Sequence, residues 1–240
     1  VQHIYSTNFA FAAVKSDGRV VTWGDSRYGG DSSAVQHQLL DQVQQIYSTN
    51  FAFAALKSNG SVVAWGSKRS GGDCSAVQQE LMGQVQRIYS TTEIFAALKS
   101  DGSVVTWPRS RGRGCLPWYQ VQQIYSTEGA FAALRCDGSV VTKGDSRHGG
   151  DCSAVQHQLL GEVQEIYSTE GAFAAVKSDG SIVTWGPPGW GGDCSAVRHM
   201  LNPTSSNGDD AISKSNEYLL SKSCGLRLAL WKKWESPAVR

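Results

Sequence analysis

Residues 43–66 read VQQIYSTNFAFAALKSNGSVVAWG, and this stretch decides the fold because the chain contains it five times with small changes. The opening heptapeptide, Val-Gln-X-Ile-Tyr-Ser-Thr, starts at Val1, Val43, Val85, Val121 and Val163, so the copies are spaced by 42, 42, 36 and 42 residues. A fixed period of about 20 to 50 residues indicates a solenoid, a propeller or an array of stacked units. We therefore treat residues 1–202 as one domain of five repeats.

Each repeat reads mainly as three strands. In the second copy, residues 43–49, 53–57 and 61–65 are rich in the β-branched and aromatic side chains that suit a pleated surface. The dipeptide Asn59-Gly60 predicts a tight hairpin with positive φ at both central residues, and the other copies have Asp-Gly there. The second and third strands are apolar on both faces, which predicts that neighbouring sheets cover each sheet on both sides.

A Gly-Gly-Asp sequence follows the third strand in four copies and leads into Ser-Ala-Val. This segment is either a short N-capped helical turn or a loop with a short outer strand. We expect its carboxylates to act as caps or Asx-turn acceptors, because a calcium loop concentrates several oxygens and here each repeat offers one. These carboxylates belong to Asp31, Asp73, Asp151 and Asp193.

Together, these residues resemble the repeat of the regulator of chromosome condensation (RCC1-like) family. The resemblance rests on Val-X-X-Ile, then Phe-Ala-Ala-Leu-Lys-Ser-Asp-Gly-Ser-Val-Val-Thr-Trp-Gly, then Gly-Gly-Asp, and it covers about residues 1–201. It implies a mainly β fold, a propeller-like stack of four-stranded blades. The copies here are shorter and fewer than those of closed family members, so a five-bladed ring, an open arc and a piece of a longer array are all open alternatives.

Residues 203–240 do not continue the repeat. They begin with a polar linker and end in an apolar, basic stretch that contains Trp231 and Trp234. A cap on the last repeat, a helix for a partner or membrane surface, and an unstructured tail are the alternatives. The sequence starts at Val1, without an initiator Met or a signal-peptide pattern, and we expect it to be a fragment of a longer protein.

Composition, charge and the absence of known motifs argue against several classes of function. Lys plus Arg is 22 and Asp plus Glu is 21, so the net charge of +1 gives no global electrostatic case for nucleic acid or an anionic membrane. No run of about 18 apolar residues is present. None of the common nucleophile, zinc or phosphate-loop motifs occurs, and we expect no enzyme activity, no catalytic residue, no bound metal and no cofactor.

The six cysteines bear on the compartment. Cys74, Cys152 and Cys194 share one repeat position, where the first copy has Ser32. A serine in that position suggests a small side chain rather than an obligatory bridge, and no Cys-X-X-Cys is present. We therefore expect reduced thiols and an intracellular location, in cytoplasm or nucleus.

A residue that recurs in every copy has a structural role, whereas residues that differ can carry function. The recurring Tyr and the Trp of Trp-Gly are expected to pack between repeats, with Lys143 in the Trp position of the fourth copy. The variable loop after Trp-Gly is enriched in Arg, Trp and Tyr, which dominate interface hot spots. The candidate binding residues are Arg69, Arg109, Arg111, Arg113, Trp118, Tyr119, Arg147 and Trp190.

The function expected from these observations is a non-catalytic scaffold for protein–protein interaction, built from RCC1-like repeats. The arginines predict a protein partner with an acidic face. The resemblance implies two alternatives, a guanine-nucleotide exchange factor or regulator of a small GTPase, and an accessory repeat region of a larger protein such as a ubiquitin ligase.

Overall fold

Every repeat forms one three-stranded antiparallel sheet, in which the middle strand pairs with the other two. The computed structural model describes residues 1–40, 42–108 and 118–201. The strands are β1 (His3–Ser6), β2 (Ala10–Val14), β3 (Val20–Gly24), β4 (Val43–Ser48), β5 (Ala52–Lys57), β6 (Val62–Gly66), β7 (Val85–Ser90), β8 (Phe95–Lys99), β9 (Val104–Trp107), β10 (Val121–Ser126), β11 (Ala130–Arg135), β12 (Val140–Gly144), β13 (Val163–Ser168), β14 (Phe173–Lys177) and β15 (Ile182–Trp185). We number the sheets 1 to 5 in chain order. The predicted mainly β, five-repeat fold is confirmed.

The hairpin between the second and third strands differs from the predicted two-residue turn. In sheet 2 the Lys57 amide donates to the Ser61 carbonyl, and the Gly60 amide donates to the Lys57 carbonyl, both at 2.9 Å. Three residues therefore form the loop, and only Gly60, with φ of 76°, lies in the left-handed region. The Asn59 side chain accepts a hydrogen bond from the Ser61 amide at 3.0 Å, which holds the loop. The expectation of positive φ at both central residues is wrong, because a three-residue loop needs it at one residue alone.

Short helical turns, not a fourth strand, follow the third strand of the sheets. One set comes directly after that strand: Ser26–Tyr28, Lys68–Ser70, Ser146–His148 and Pro188–Trp190. A second set follows Gly-Gly-Asp: Ser33–Gln38, Ser75–Val77, Ser153–Leu159 and Ser195–Val197, the last of which leads into the short helix α1 (Arg198–Leu201). The four-stranded blade that the resemblance implies is thus replaced, in the described ranges, by three strands and helical turns.

The Gly-Gly-Asp carboxylates form Asx turns directly before the second set of helical turns. Each accepts a hydrogen bond from the backbone amide of the serine two residues later, at 2.8 to 3.0 Å. This bond favours the charged form, so the pKa of Asp31, like that of the other three, lies below its ordinary value. Of the two predicted roles, the Asx-turn acceptor is confirmed, and the N-cap of each turn is the following residue.

Consecutive sheets pack face to face, and the hydrophobic core lies between them. We call the face that packs on the following sheet the forward face, and the opposite one the backward face. In sheet 2 the forward face carries Ala52, Ala54 and Leu56, and the backward face carries Phe53 and Trp65, all of them buried. The prediction that neighbours cover these strands on both sides is confirmed for this sheet.

The Trp residues anchor each repeat to the one before it. The indole Nε1 donates to the carbonyl of the first Gly of the preceding Gly-Gly-Asp, in the pairs Trp65–Gly29 (3.1 Å), Trp107–Gly71 (3.0 Å) and Trp185–Gly149 (3.1 Å). Each of these rings also stacks on the Phe of its own sheet at 5.1 to 5.3 Å between centroids. In the fourth repeat, Lys143 stands in the Trp position. It contacts the preceding repeat through its Nζ, which lies 3.5 Å from Oγ1 of Thr106.

A backbone ladder joins the repeats at the loop between the first and second strands. The amide of one repeat donates to the carbonyl of the next in the pairs Asn8–Asn50 (3.0 Å), Asn50–Thr92 (3.0 Å), Thr92–Glu128 (2.8 Å) and Glu128–Glu170 (2.9 Å). The ladder places these five loops in one row along one edge of the stack.

The four described cysteines fall into two groups. Cys74, Cys152 and Cys194 are free and buried, as their shared position with Ser32 predicts. Cys136 is disulfide-bonded, so the expectation that all six are reduced is wrong. That expectation rested on the Ser-for-Cys position, which Cys136 does not occupy. Among the described residues, no helix has the length and apolarity needed to cross a membrane.

Candidate interaction surface

Two loops of the first, second, fourth and fifth repeats meet at one edge of the stack, which we call the loop rim. One loop joins the first and second strands, and the other holds the helical turn after the third strand. A threonine hydroxyl joins them by donating to a carbonyl, in the pairs Thr7–Tyr28 (3.2 Å), Thr49–Ser70 (2.9 Å), Thr127–His148 (2.8 Å) and Thr169–Trp190 (2.8 Å). The described loop rim comprises residues 7–9, 25–29, 49–51, 67–71, 91–93, 127–129, 145–149, 169–171 and 187–191.

An aromatic cluster occupies the loop rim at the first two repeats. The Phe9 ring lies 5.0 Å from the Tyr28 ring and 6.1 Å from the Phe51 ring, between centroids, and Tyr28 lies 5.1 Å from Phe51. The Arg27 guanidinium stands over Tyr28, with Cζ 5.2 Å from the ring centroid. Phe9 is nevertheless 54% exposed. Three rings and a cation held together at the surface are the residue types that interface hot spots use.

The loop rim becomes acidic along the later repeats. The residue after the joining threonine is Asn8 and Asn50 in the first two repeats but Glu128 and Glu170 in the last two, and all but Asn50 are exposed. Glu93 adds a third exposed carboxylate in the third repeat. The same backbone ladder thus presents aromatic groups at one end and carboxylates at the other.

Two of the loop arginines are neutralised inside their own loop. Arg147 Nη2 lies 2.7 Å from Oδ2 of Asp145, and Arg27 makes the same 2.7 Å contact with Asp25. The hydrogen bond from the Arg147 side chain lowers the pKa of Asp145 to about 2. In the second repeat Ser67 stands in this position, and no ion pair is found for Arg69 within the described ranges. The described loop rim is therefore mixed in charge.

Large and small residues complement each other between the two loops of the later repeats. A Cβ added to Gly129 would lie 2.8 Å from Nδ1 of His148, and one added to Gly171 would lie 2.7 Å from the Trp190 ring. These glycines therefore make room for the side chain of the neighbouring loop. As a result Trp190 lies on Gly171 and remains 45% exposed.

The predicted binding residues divide into four groups, of which Trp118 alone forms the last. Arg69, Arg147 and Trp190 lie on the loop rim and are exposed. Tyr119 is exposed at the opposite edge, beside Gln120, whose backbone carbonyl accepts from the Cys136 amide at 2.8 Å. Arg109, Arg111 and Arg113 lie outside the described residues.

Trp118 lies in the core rather than on the surface. It is 5% exposed and forms an antiparallel bridge with Val104. In the first repeat the corresponding bond runs from the Val20 amide to the carbonyl of Leu39, which is also buried. Trp118 therefore replaces that leucine in the shortened third repeat, and its indole is not available to a partner.

Sequence reasoning missed the aromatic cluster. Phe51 lies directly before the second strand, which begins at Ala52 and contains Phe53. The signal was present, because Phe51 has no counterpart in the fourth and fifth repeats, which have Gly129 and Gly171 there, whereas Phe53 recurs in every copy. Within the described ranges, no group of three or more His, Cys, Asp or Glu side chains could hold a metal ion.

No protein-family model matches the chain, and no curated protein matches it. Solved structures do. The chain is similar to Prp20p of Saccharomyces cerevisiae, with 18% identity, a TM-score of 0.48, and coverage of 76% of this chain and 56% of that one. A second solved structure calls the Saccharomyces cerevisiae protein yeast RCC1 (Prp20).

Two further structures are similar over the same part of the chain. Human WBSCR16 has 16% identity, a TM-score of 0.48, and coverage of 75% of this chain and 60% of that one. The CRINKLY ectodomain of the Arabidopsis thaliana receptor kinase ACR4 has 14% identity, a TM-score of 0.47, and coverage of 76% and 64%. The chain thus spans less than two thirds of each structure.

Proposed function

We propose that the chain is a non-catalytic scaffold for protein–protein interaction and that the loop rim is its binding surface. The observation that carries the proposal is the aromatic cluster of Phe9, Tyr28 and Phe51. These rings belong to loops that the threonine bonds and the backbone ladder hold in place. Binding to such a surface immobilises few side chains, because the scaffold has already ordered them.

The charges of the loop rim define the partner further. An acidic partner face suits Arg69, whose guanidinium is exposed and has no carboxylate in its own loop, but it would meet Glu128 and Glu170 at the other end. We therefore propose a protein partner that offers apolar groups to the first two repeats and basic groups to the last two. Like charges across an interface are costly, so this arrangement also fixes the direction in which the partner lies.

The test is differential capture. The native chain and one double variant, which carries both Phe9→Ser and Phe51→Ser, are immobilised separately. The proteins that each of them captures are quantified by mass spectrometry. We expect at least one bound protein to fall tenfold or more with the double variant, since an aromatic hot spot contributes 2 kcal/mol or more, roughly a factor of 30. Tyr119→Ser is the matched control, because Tyr119 is an exposed aromatic residue at the opposite edge.

The proposal is overturned if the double variant, folded by circular dichroism, retains every protein that the native chain and the Tyr119 variant capture. Charge reversal at Glu128 and Glu170 to Lys should weaken the same partner and make its binding less sensitive to salt.

We also propose an intracellular location, supported by the three free, buried thiols, whereas the Cys136 disulfide argues against it. Thiol counting under denaturing conditions on protein taken directly from cells decides between them. A fully reduced Cys136 supports the proposal, and an oxidised one contradicts it.

A further inference from the structure

Sheet 1 has an uncovered backward face. Phe11 is 45% exposed and Trp23 is 44% exposed, whereas the corresponding Phe53 and Trp65 of sheet 2 are 0% and 3% exposed. Ile4 and Val21 on the same face are also exposed, and their counterparts in later repeats are buried or half-buried. The Phe11 and Trp23 rings stack at 5.3 Å, the spacing found in the internal repeats, so the face is already formed.

Within the described ranges, the forward face of sheet 5 is uncovered. Val197 and Leu201 are 44% and 39% exposed, whereas Leu39, Leu81 and Leu159, in the Leu201 position, are all 0% exposed. Gly191 keeps a left-handed φ of 95°, close to the 100° of Gly29. A Cβ on Gly29 would lie 2.6 Å from the Phe53 ring of the next repeat, whereas one on Gly191 would meet nothing within 4 Å. The surface over Gly191 thus has space for a Phe ring, and no residue of sheets 1 to 5 occupies that space.

The two uncovered faces are matched in hydrogen bonding as well as in shape. Three internal interfaces contain the bond from Trp Nε1 to a Gly carbonyl. Within the described ranges, the Trp23 indole donates no hydrogen bond and the Gly191 carbonyl accepts none. Sheet 1 therefore carries the Trp23 indole donor and the Phe11 ring. Sheet 5 carries the Gly191 carbonyl acceptor and the open space over Gly191. Together these are the groups that form the internal interfaces of the chain.

We propose that two copies of this chain associate head to tail, with the forward face of sheet 5 in one copy packed on the backward face of sheet 1 in the other. Trp23 Nε1 donates to the Gly191 carbonyl, and the Phe11 ring lies over Gly191. A second copy is the occupant that the structure favours, because the backward faces of sheets 2, 3 and 5 are each covered by a forward face of this residue pattern. Such an interface joins two different patches, so it can extend to further copies or close into a ring of copies. The proposal does not depend on the loop rim.

The experiment is sedimentation velocity of the full chain from about 1 to 200 µM, with two variants that each disable one end. Trp23→Asp disables the backward face of sheet 1, and Val197→Asp disables the forward face of sheet 5. Leu160→Asp is the control, since Leu160 is a large apolar residue that is 68% exposed and lies on neither face. We expect concentration-dependent association of the native chain and of the control, and at least a tenfold weaker association of each end variant.

Mixing the two end variants tests the head-to-tail arrangement directly. Each variant keeps one intact face, so the mixture should form a 1:1 complex that does not extend further. A native chain that is monomeric at every concentration overturns the proposal. This holds whichever alternative then applies: sheets 1 and 5 meet within one chain, residues 203–240 cover one of them, or neither is covered. Association that neither end variant weakens, or a mixture that stays monomeric, also overturns it. Because the variants lie at opposite ends, misfolding of one, detected by circular dichroism, leaves the other as a test.

Discussion

The first two repeats have almost the same sequence and very different environments. Phe11 and Trp23 are half exposed, whereas Phe53 and Trp65, at the same positions of the second repeat, are buried. The two pairs of rings nevertheless have nearly the same stacking geometry, at 5.3 and 5.2 Å between centroids. The repeat thus encodes the conformation of its own sheet, but burial comes from the neighbour, as expected of a stack in which each unit contacts only adjacent units.

Truncating the two phenylalanines tests this difference most strongly. Phe53→Ala should lower the free energy of unfolding by about 3–5 kcal/mol, because a fully buried ring leaves a cavity. Phe11→Ala should cost about 1 kcal/mol, since roughly half of its surface is already in water. Urea denaturation at a protein concentration below about 1 µM measures both, and this is below the concentrations of the sedimentation experiment. Equal losses at the two positions would show that the second repeat gains nothing from its neighbour.

Removing only the indole donor makes the comparison finer. Trp65→Phe deletes the bond from Nε1 to the Gly29 carbonyl and leaves that buried carbonyl without its partner, which should cost about 1–2 kcal/mol. Trp23→Phe deletes a donor that has no acceptor in the described chain, so the monomer should change by less than about 0.5 kcal/mol. The same urea experiment measures both values. A loss at Trp23 as large as that at Trp65 would mean that sheet 1 is covered in solution, and comparing low with high protein concentration would show whether a second copy covers it.

The sequence predicts those parts of the fold that depend on local pattern. The repeat boundaries, the three strands and the Asx turn at Asp31 follow from residues close to one another in the chain. The anchoring role of Trp65 was also predictable, because a large apolar residue at the same position of several units must pack against the next unit. The turn at Asn59-Gly60 was not, since two-residue and three-residue hairpin loops share that dipeptide.

The candidate surface was only partly predictable, because it depends on contacts between distant loops. Arg69 and Trp190 were found because they lie in a variable loop. Phe9 was missed because Tyr28 lies in the other loop of the first repeat and Phe51 lies in the next repeat. Neither contact is visible as a pattern of neighbouring residues in the sequence. Trp118 looked like a surface residue until the structure showed that the shortened third repeat uses it in place of a core leucine.

The smallest expected effect concerns the loop carboxylate that distinguishes the first repeat from the second. Asp25 is hydrogen-bonded by the Arg27 side chain, which holds the pKa of Asp25 below its ordinary value of 3.8. Ser67 replaces this carboxylate beside Arg69. A carboxyl whose pKa is lower in the folded state stabilises the fold above its unfolded pKa, and this contribution disappears as the pH falls through the folded pKa.

Arg27→Gln should therefore raise the pKa of Asp25 toward 3.8, although the backbone amide at position 27 still donates to it. The free energy of unfolding should then fall less steeply as the pH drops below 3.8 than it does for the native chain. Arg69→Gln should leave that slope unchanged, because no carboxylate stands two residues before it. Carboxyl-carbon NMR titration of Asp25 provides the direct measurement. If its pKa is the same with and without Arg27, the ion pair at the surface is too well solvated to matter, and the first and second repeats differ only in what covers them.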